Sequence, residues 1–82
     1  MLKGVVISNI VSTRKQPSLV GSKFLEVRLI ENGLNTDKYI IAVDSVGAGI
    51  GETVLLTTGS SARLALQNTN APVDAVVVGI VD

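Results

Sequence analysis

Hydrophobic and polar positions alternate most clearly from Phe24 to Ile30, with Leu25, Val27 and Leu29 on one face and Glu26 and Arg28 on the other. A period of two with one wet side predicts an antiparallel β-strand. Asn32-Gly33 follows, the dipeptide favoured in two-residue hairpin turns because both central positions take positive φ. It predicts the chain's return in a third strand near Lys38 to Val43. Upstream, Lys3 to Val11 is rich in β-branched residues and predicts a first strand, followed by a polar loop from Ser12 to Lys23. Downstream, Thr53 to Thr57 predicts a fourth strand and Ala75 to Val81 a fifth. The one helical stretch lies between Gly59 and Gln67, where Ala62, Leu64, Ala65 and Leu66 are good helix formers. Ser60 or Ser61 is placed to cap it. A helix of about two turns must be held by packing.

Short strands with one small helix and no βαβ rhythm predict an all-β fold: a small five-stranded OB-like antiparallel barrel, one domain over residues 1–82. The last strand raises a question of cover. Ala75, Val77, Gly79 and Val81 share one face by simple alternation, and Val76, Val78 and Ile80 share the other. A strand apolar on both sides must be covered on both, yet a barrel has one interior. Gly79 also permits close backbone approach. The first strand repeats the problem, with Val5, Ile7 and Val11 opposing Val6 and Ile10. A subunit interface is the expected cover, and the helix and loops are the alternative.

Composition sharpens that expectation. The 82 residues are 46% hydrophobic, with a mean hydropathy of +0.49. The apolar surface a chain of this length buries only about offsets the entropy of ordering it, so small scaffolds add disulfides, metals or oligomerisation. Cysteine and histidine are both absent, which closes the first two routes and leaves self-association. The same absences remove a thiolate nucleophile, the commonest general base and the commonest metal ligand. The sequence therefore argues against an enzyme, and it assigns no catalytic, cofactor-binding or metal residue. Seven basic residues balance seven acidic ones, so no net charge draws the chain to nucleic acid or acidic lipid. Phe24 and Tyr39 are its two aromatic residues, too few for a base-stacking platform. Ser8 and Asn9 interrupt Val5-Val6-Ile7, and no apolar run approaches the roughly 20 residues of a membrane span. The expectation is a cytoplasmic protein without membrane association.

Two motifs invite chemistry. Gly47-Ala48-Gly49-Ile50-Gly51 has the glycine density of a phosphate loop, but its third glycine comes too soon and a strand follows it. The expected role is a turn using positive φ. Gly59-Ser60-Ser61-Ala62-Arg63 could place an anion at a helix N-terminus. The plainer reading is a serine cap with Arg63 paired to Asp44 or Asp74. Serine catalysis would need a lysine base, and Lys3, Lys15, Lys23 and Lys38 are all expected to be exposed. The carboxylates are scattered, with Asp44 and Asp74 flanking apolar strands as the candidates for partial burial.

Taken in order, these blocks resemble the EutN/CcmL family of bacterial microcompartment vertex proteins. The resemblance runs from Gly4-Val5-Val6 through Ser12-Thr13-Arg14-Lys15, Pro17-Ser18-Leu19-Val20-Gly21, Val43 to Glu52, Gly59 to Arg63 and Val73 to Asp82. It implies an OB-like barrel assembled as a homo-pentamer that caps the vertices of a polyhedral protein shell, beside hexameric shell proteins, with no cofactor. The role is then geometric rather than chemical. Carried over, Asp44, Gly47, Ala48, Gly49, Ser60, Ser61 and Arg63 are expected at the subunit interface or the pore-side surface. Arg14, Lys15, Pro17 and Lys23 are expected to contact neighbouring shell tiles. Many members extend past the counterpart of Ile80-Val81-Asp82 in a short tail, whose contacts do not carry over. The alternatives are an OB-type binding module for single-stranded nucleic acid and an accessory subunit of an enzyme complex.

Overall fold

The computed structural model describes residues 1–11, 15–67 and 72–82. Its strands are β1 (Leu2–Ile10), β2 (Phe24–Glu31), β3 (Leu34–Asp44), β4 (Thr53–Thr58) and β5 (Ala75–Val81), with one helix, α1 (Ser60–Ala65), and a 3-10 turn at Pro17–Leu19. The strands close into a barrel in the order β1-β2-β3-β5-β4, β4 pairing back onto β1. Residues 32–33 form the β2–β3 turn with φ of 53° at Asn32 and 75° at Gly33, the backbone the Asn-Gly pair predicts. The ladder reaches the turn itself, pairing Glu31 with Leu34, so β3 starts well before Lys38.

Four seams of the barrel are antiparallel. The fifth, β3 with β5, is parallel and short, joining Val43 to Val76 and Asp44 to Val77. β4 and α1 intervene between these strands, supplying the crossover that parallel neighbours require.

Val6, Leu25, Val27, Val54, Leu56 and Val77 fill the barrel and are essentially inaccessible. Leu25, Val27 and Leu29 point inward as the alternation predicts. In β5 the alternation breaks. Gly79 pairs with Leu55 and Val77 with Leu56, leaving Val78 as an extra residue in the ladder. Such a bulge flips every later side chain to the other face. Ala75, Val77 and Ile80 therefore serve the barrel core, while Gly79 and Val81 turn outward, which corrects the face assignment made from period two alone. β1 carries a similar irregularity between Val6 and Ser8. Ser8 then shares the outer face with Glu26, to which its hydroxyl donates at 3.2 Å. Ile10 pairs with Phe24, so it joins the side of Val5 rather than that of Val6.

A second apolar cluster lies outside the barrel. Val43, Ala62, Val73 and Val76 are buried together, flanked by Leu19, Phe24, Leu66 and Val78. The helix and the 17–19 turn thus cover the first half of the outer face of β5, where a neighbouring subunit had been expected. That cover ends near Val78.

Candidate functional site

The loop after β3 is organised by one side chain. Asp44 turns its carboxylate back into its own loop and accepts from the backbone N–H groups of Val46 and Gly47 on Oδ1 (3.0 and 3.1 Å) and of Ala48 on Oδ2 (2.9 Å). Only 2% of the side chain is exposed. Gly47 makes this turn at φ 83°, a value open to glycine at little cost. Lys23 closes the arrangement: its Nζ donates to the carbonyl of Ala48 at 3.0 Å and sits 3.7 Å from Asp44 Oδ2. The far end of the loop is pinned twice to β1, with Val6 donating to Glu52 O at 3.0 Å and Gly51 to Val6 O at 2.8 Å. Glu52 Oε1 takes the Gly49 N–H at 2.6 Å. Ser45 anchors the start, its hydroxyl donating to Val77 O at 2.6 Å. Val46 and Ile50 remain exposed on the fastened loop.

The residues predicted for the subunit interface or pore side therefore divide by role. Ala48 is fully buried and Asp44 spends its carboxylate internally, so both can act on a neighbour only by shaping the loop. Ser60 and Ser61 are exposed at the start of α1. They do not cap it: the N-cap residue is Gly59, with no side-chain hydrogen bond. Backbone contacts replace the serine cap, Gly59 N–H donating to Asp74 O at 2.8 Å and Gly59 O accepting from Ala62 N at 3.1 Å. Arg63 binds neither Asp44 nor Asp74 as an ion pair among the described residues. Its Nη1 donates to the carbonyl of Val73 at 3.1 Å, tying α1 to the segment before β5.

Of the residues predicted to touch shell tiles, Lys15 lies 5.3 Å above the Phe24 ring, and Pro17 opens the exposed 3-10 turn. Lys23 is half exposed and belongs to the Asp44 cluster. Arg14 lies outside the described residues. Gly4 is the residue that sequence reasoning undervalued. A Cβ there would strike Val27 Cγ1 and come within 2.7 Å of Arg28 O, so the close β1–β2 seam requires glycine.

Among the described residues no three acidic or otherwise ligating side chains are grouped to hold a metal. The small hollow between Phe24, Ile41, Val43 and Val73 offers Asp74 as its one ionisable group. No helix among the described residues is long and apolar enough to cross a membrane.

The profile of the family described as "Ethanolamine utilisation protein EutN/carboxysome" matches residues 1–82. The chain belongs to this family. The carboxysome shell vertex protein CcmL of Gloeobacter violaceus is 49% identical over 80 residues, covering 96% of this chain and 80% of that one. The microcompartment shell vertex protein PduN of Salmonella typhimurium is 49% identical over 82 residues, covering 94% and 90%. Solved structures agree on the fold. Gloeobacter violaceus CcmL superposes with a TM-score of 0.94 at 47% identity, over 100% of this chain and 86% of that chain. The pentameric shell protein GrpN of Rhodospirillum rubrum superposes at 0.90 with 43% identity, over 100% and 94%. In this EutN/CcmL chain, then, the Asp44 loop and α1 belong to a barrel whose relatives build shells.

Proposed function

We propose that this chain is a structural shell protein whose homo-pentamers cap the vertices of a bacterial microcompartment. The observation that carries the reading is its whole-length likeness to GrpN, a pentameric shell protein. The physics of the single chain supports it. Thirteen large hydrophobic side chains among the described residues stand exposed, including Ile41, Ile50, Leu55 and Leu64, on a barrel too small to enclose them. A cyclic ring hides such surface because each copy presents one patch to a different patch on the next. Hexagonal tiles alone make a flat sheet, so five-fold units supply the curvature that closes it. Hexameric shell proteins are accordingly the proposed neighbours, met in the shell itself.

The chain acts as one barrel domain over residues 1–82, and its role is geometric rather than catalytic. The Asp44–Glu52 loop and the Gly59–Arg63 corner face the ring or its central opening, with Gly47, Gly49, Ser60, Ser61 and Arg63 near the contact and Asp44 and Ala48 shaping the loop behind it. Lys15 and Pro17 mark the side turned toward neighbouring tiles, whereas Lys23, held on the Asp44 loop, goes with the ring side. The nucleic-acid alternative lacks a stacking platform, because the Phe24 ring packs against the second apolar cluster and leaves Tyr39 as the one exposed aromatic ring. Native mass spectrometry tests the reading. A five-subunit species is expected at micromolar concentration, and a stable folded single subunit there would overturn it.

A further inference from the structure

We infer that the outer face of β1, β4 and β5 around Gly79 is a contact surface for a second copy of this chain, and that the neighbour lies directly against the Gly79 backbone. The inference rests on the ring reading and adds to the loop and helix corner proposed above a further surface that takes part in the ring.

The registers define the patch. Lys3, Leu55 and Gly79 form one outward row across the three strands, and Val5, Thr53 and Val81 form the next. One of these six residues is charged. Leu55 is 36% exposed and Val81 40%, on a sheet face that would carry polar residues if it met water. The patch begins where the chain's own cover stops, since α1 and its neighbours bury Val76 and reach no further than Val78.

Gly79 gives the patch its direction. Of the eight glycines, five take a positive φ, Gly4 is held by a steric clash, and a Cβ on Gly49 would crowd Glu52 Oε1 at 3.3 Å. Gly79 has no such reason. Its φ is one that any residue adopts, and an added Cβ would meet only Leu55, at ordinary contact distances of 3.6 and 3.8 Å. Glycine inside a strand weakens it and forgoes packing, so the isolated chain would gain from a larger residue here. A surface pressed against the bare backbone explains the glycine. Charge points to a second copy as that surface. Lys3 has no ion-pair partner among the described residues, and neither do Glu26, Glu52, Asp74 and Asp82, so a second copy supplies carboxylates that can meet it.

The test compares the unmodified chain with Gly79→Ala, Gly79→Val and Leu55→Ser by native mass spectrometry and sedimentation over a concentration series, with circular dichroism confirming the fold. The expected result is a pentamer for the unmodified chain and at least a tenfold rise in the concentration of half-assembly for the variants. Gly79→Ala keeps the test alive if valine impairs folding, because its Cβ meets nothing but Leu55 in the single chain. An unmodified pentamer with variants that assemble equally well overturns the patch and leaves the ring reading standing. The patch is overturned in the same way if variant pentamers persist but fail only to join other shell proteins. Another subunit number that the variants weaken supports the patch and overturns the five-fold reading. An unmodified chain that stays single overturns both.

Discussion

Lys23 and Asp44 are joined twice: the Asp44 N–H donates to Lys23 O at 2.8 Å, and the Lys23 ammonium lies 3.7 Å from Asp44 Oδ2. The first contact is part of the β2–β3 edge and the second reaches over the loop that follows it. The two partners are unequal. The Asp44 side chain is buried, with three backbone donors on its oxygens, whereas the Lys23 side chain is 49% exposed and its attraction is screened by water. Removing the carboxylate strands three N–H groups, and hydrogen bonds to a charged group contribute about 1.5–3 kcal/mol each before the loop relaxes. Asp44→Ala is therefore expected to destabilise the protein by about 2–4 kcal/mol. Lys23→Met should cost under about 1 kcal/mol. Urea unfolding at one fixed protein concentration measures both. Equal losses for the two variants would contradict the assignment of the carboxylate as the organising group.

Gly4 sits against the β2 backbone with no room for a methyl group. An added Cβ would approach Arg28 O to 2.7 Å while meeting Val27 Cγ1, and neither the carbonyl nor a buried valine can move aside freely. Gly4→Ala is expected to cost about 1–3 kcal/mol, as overpacking of a filled site does. In a domain of this size each kcal/mol lowers the thermal midpoint by about 4–8 °C. Thermal unfolding that shows no loss for Gly4→Ala would mean that β1 and β2 can part without strain.

What the sequence made legible depends on whether local pattern or distant pairing decided the outcome. β2 was readable because Leu25, Val27 and Leu29 stay in phase with the barrel wall. The Asn32-Gly33 turn was readable because its φ values belong to those two residues alone. The outward turn of Gly79 was not, because the extra residue at Val78 exists only against Leu55 and Leu56 of β4. The parallel β3–β5 seam is likewise a matter of closure, invisible to periodicity. Ser60 and Ser61 looked like caps by type, yet Gly59 and the Asp74 carbonyl already hold the helix entrance. Asp44 carries a local signal that periodicity and composition pass over: an aspartate just before a glycine-containing turn is placed to bind the N–H groups ahead of it. Its partnership with Lys23 has none, because it depends on how β2 and β3 pair.

Arg63 and Gly49 test the proposed ring contact from two directions. Arg63→Ala removes the donor to Val73 O that keeps α1 against the segment leading into β5. Gly49→Val puts a branched side chain where even a Cβ would stand 3.3 Å from Glu52 Oε1, so the Glu52 carboxylate must shift and its hydrogen bond to Gly49 is strained. Both variants are expected to lower the pentamer fraction at micromolar concentration. Light scattering that finds both fully pentameric would remove the Asp44–Glu52 loop and the Gly59–Arg63 corner from the interface.

Lys15 offers a test of the proposed outer contact that leaves the barrel alone. Its ammonium lies 5.3 Å over the half-buried Phe24 ring, a contact contributing about 0.5–2 kcal/mol, so its loss leaves the barrel folded. A positive side chain at the tile-facing edge acts instead through charge, over a Debye length of about 8 Å at physiological ionic strength. Lys15→Glu is expected to reduce co-assembly with hexameric shell proteins severalfold at low salt while the pentamer persists by native mass spectrometry. Raising the salt should narrow the gap, because screening weakens the unmodified attraction and the introduced repulsion alike. Co-assembly that is indifferent to both the substitution and the salt would show that the loop carrying Lys15 and Pro17 faces away from the tiles.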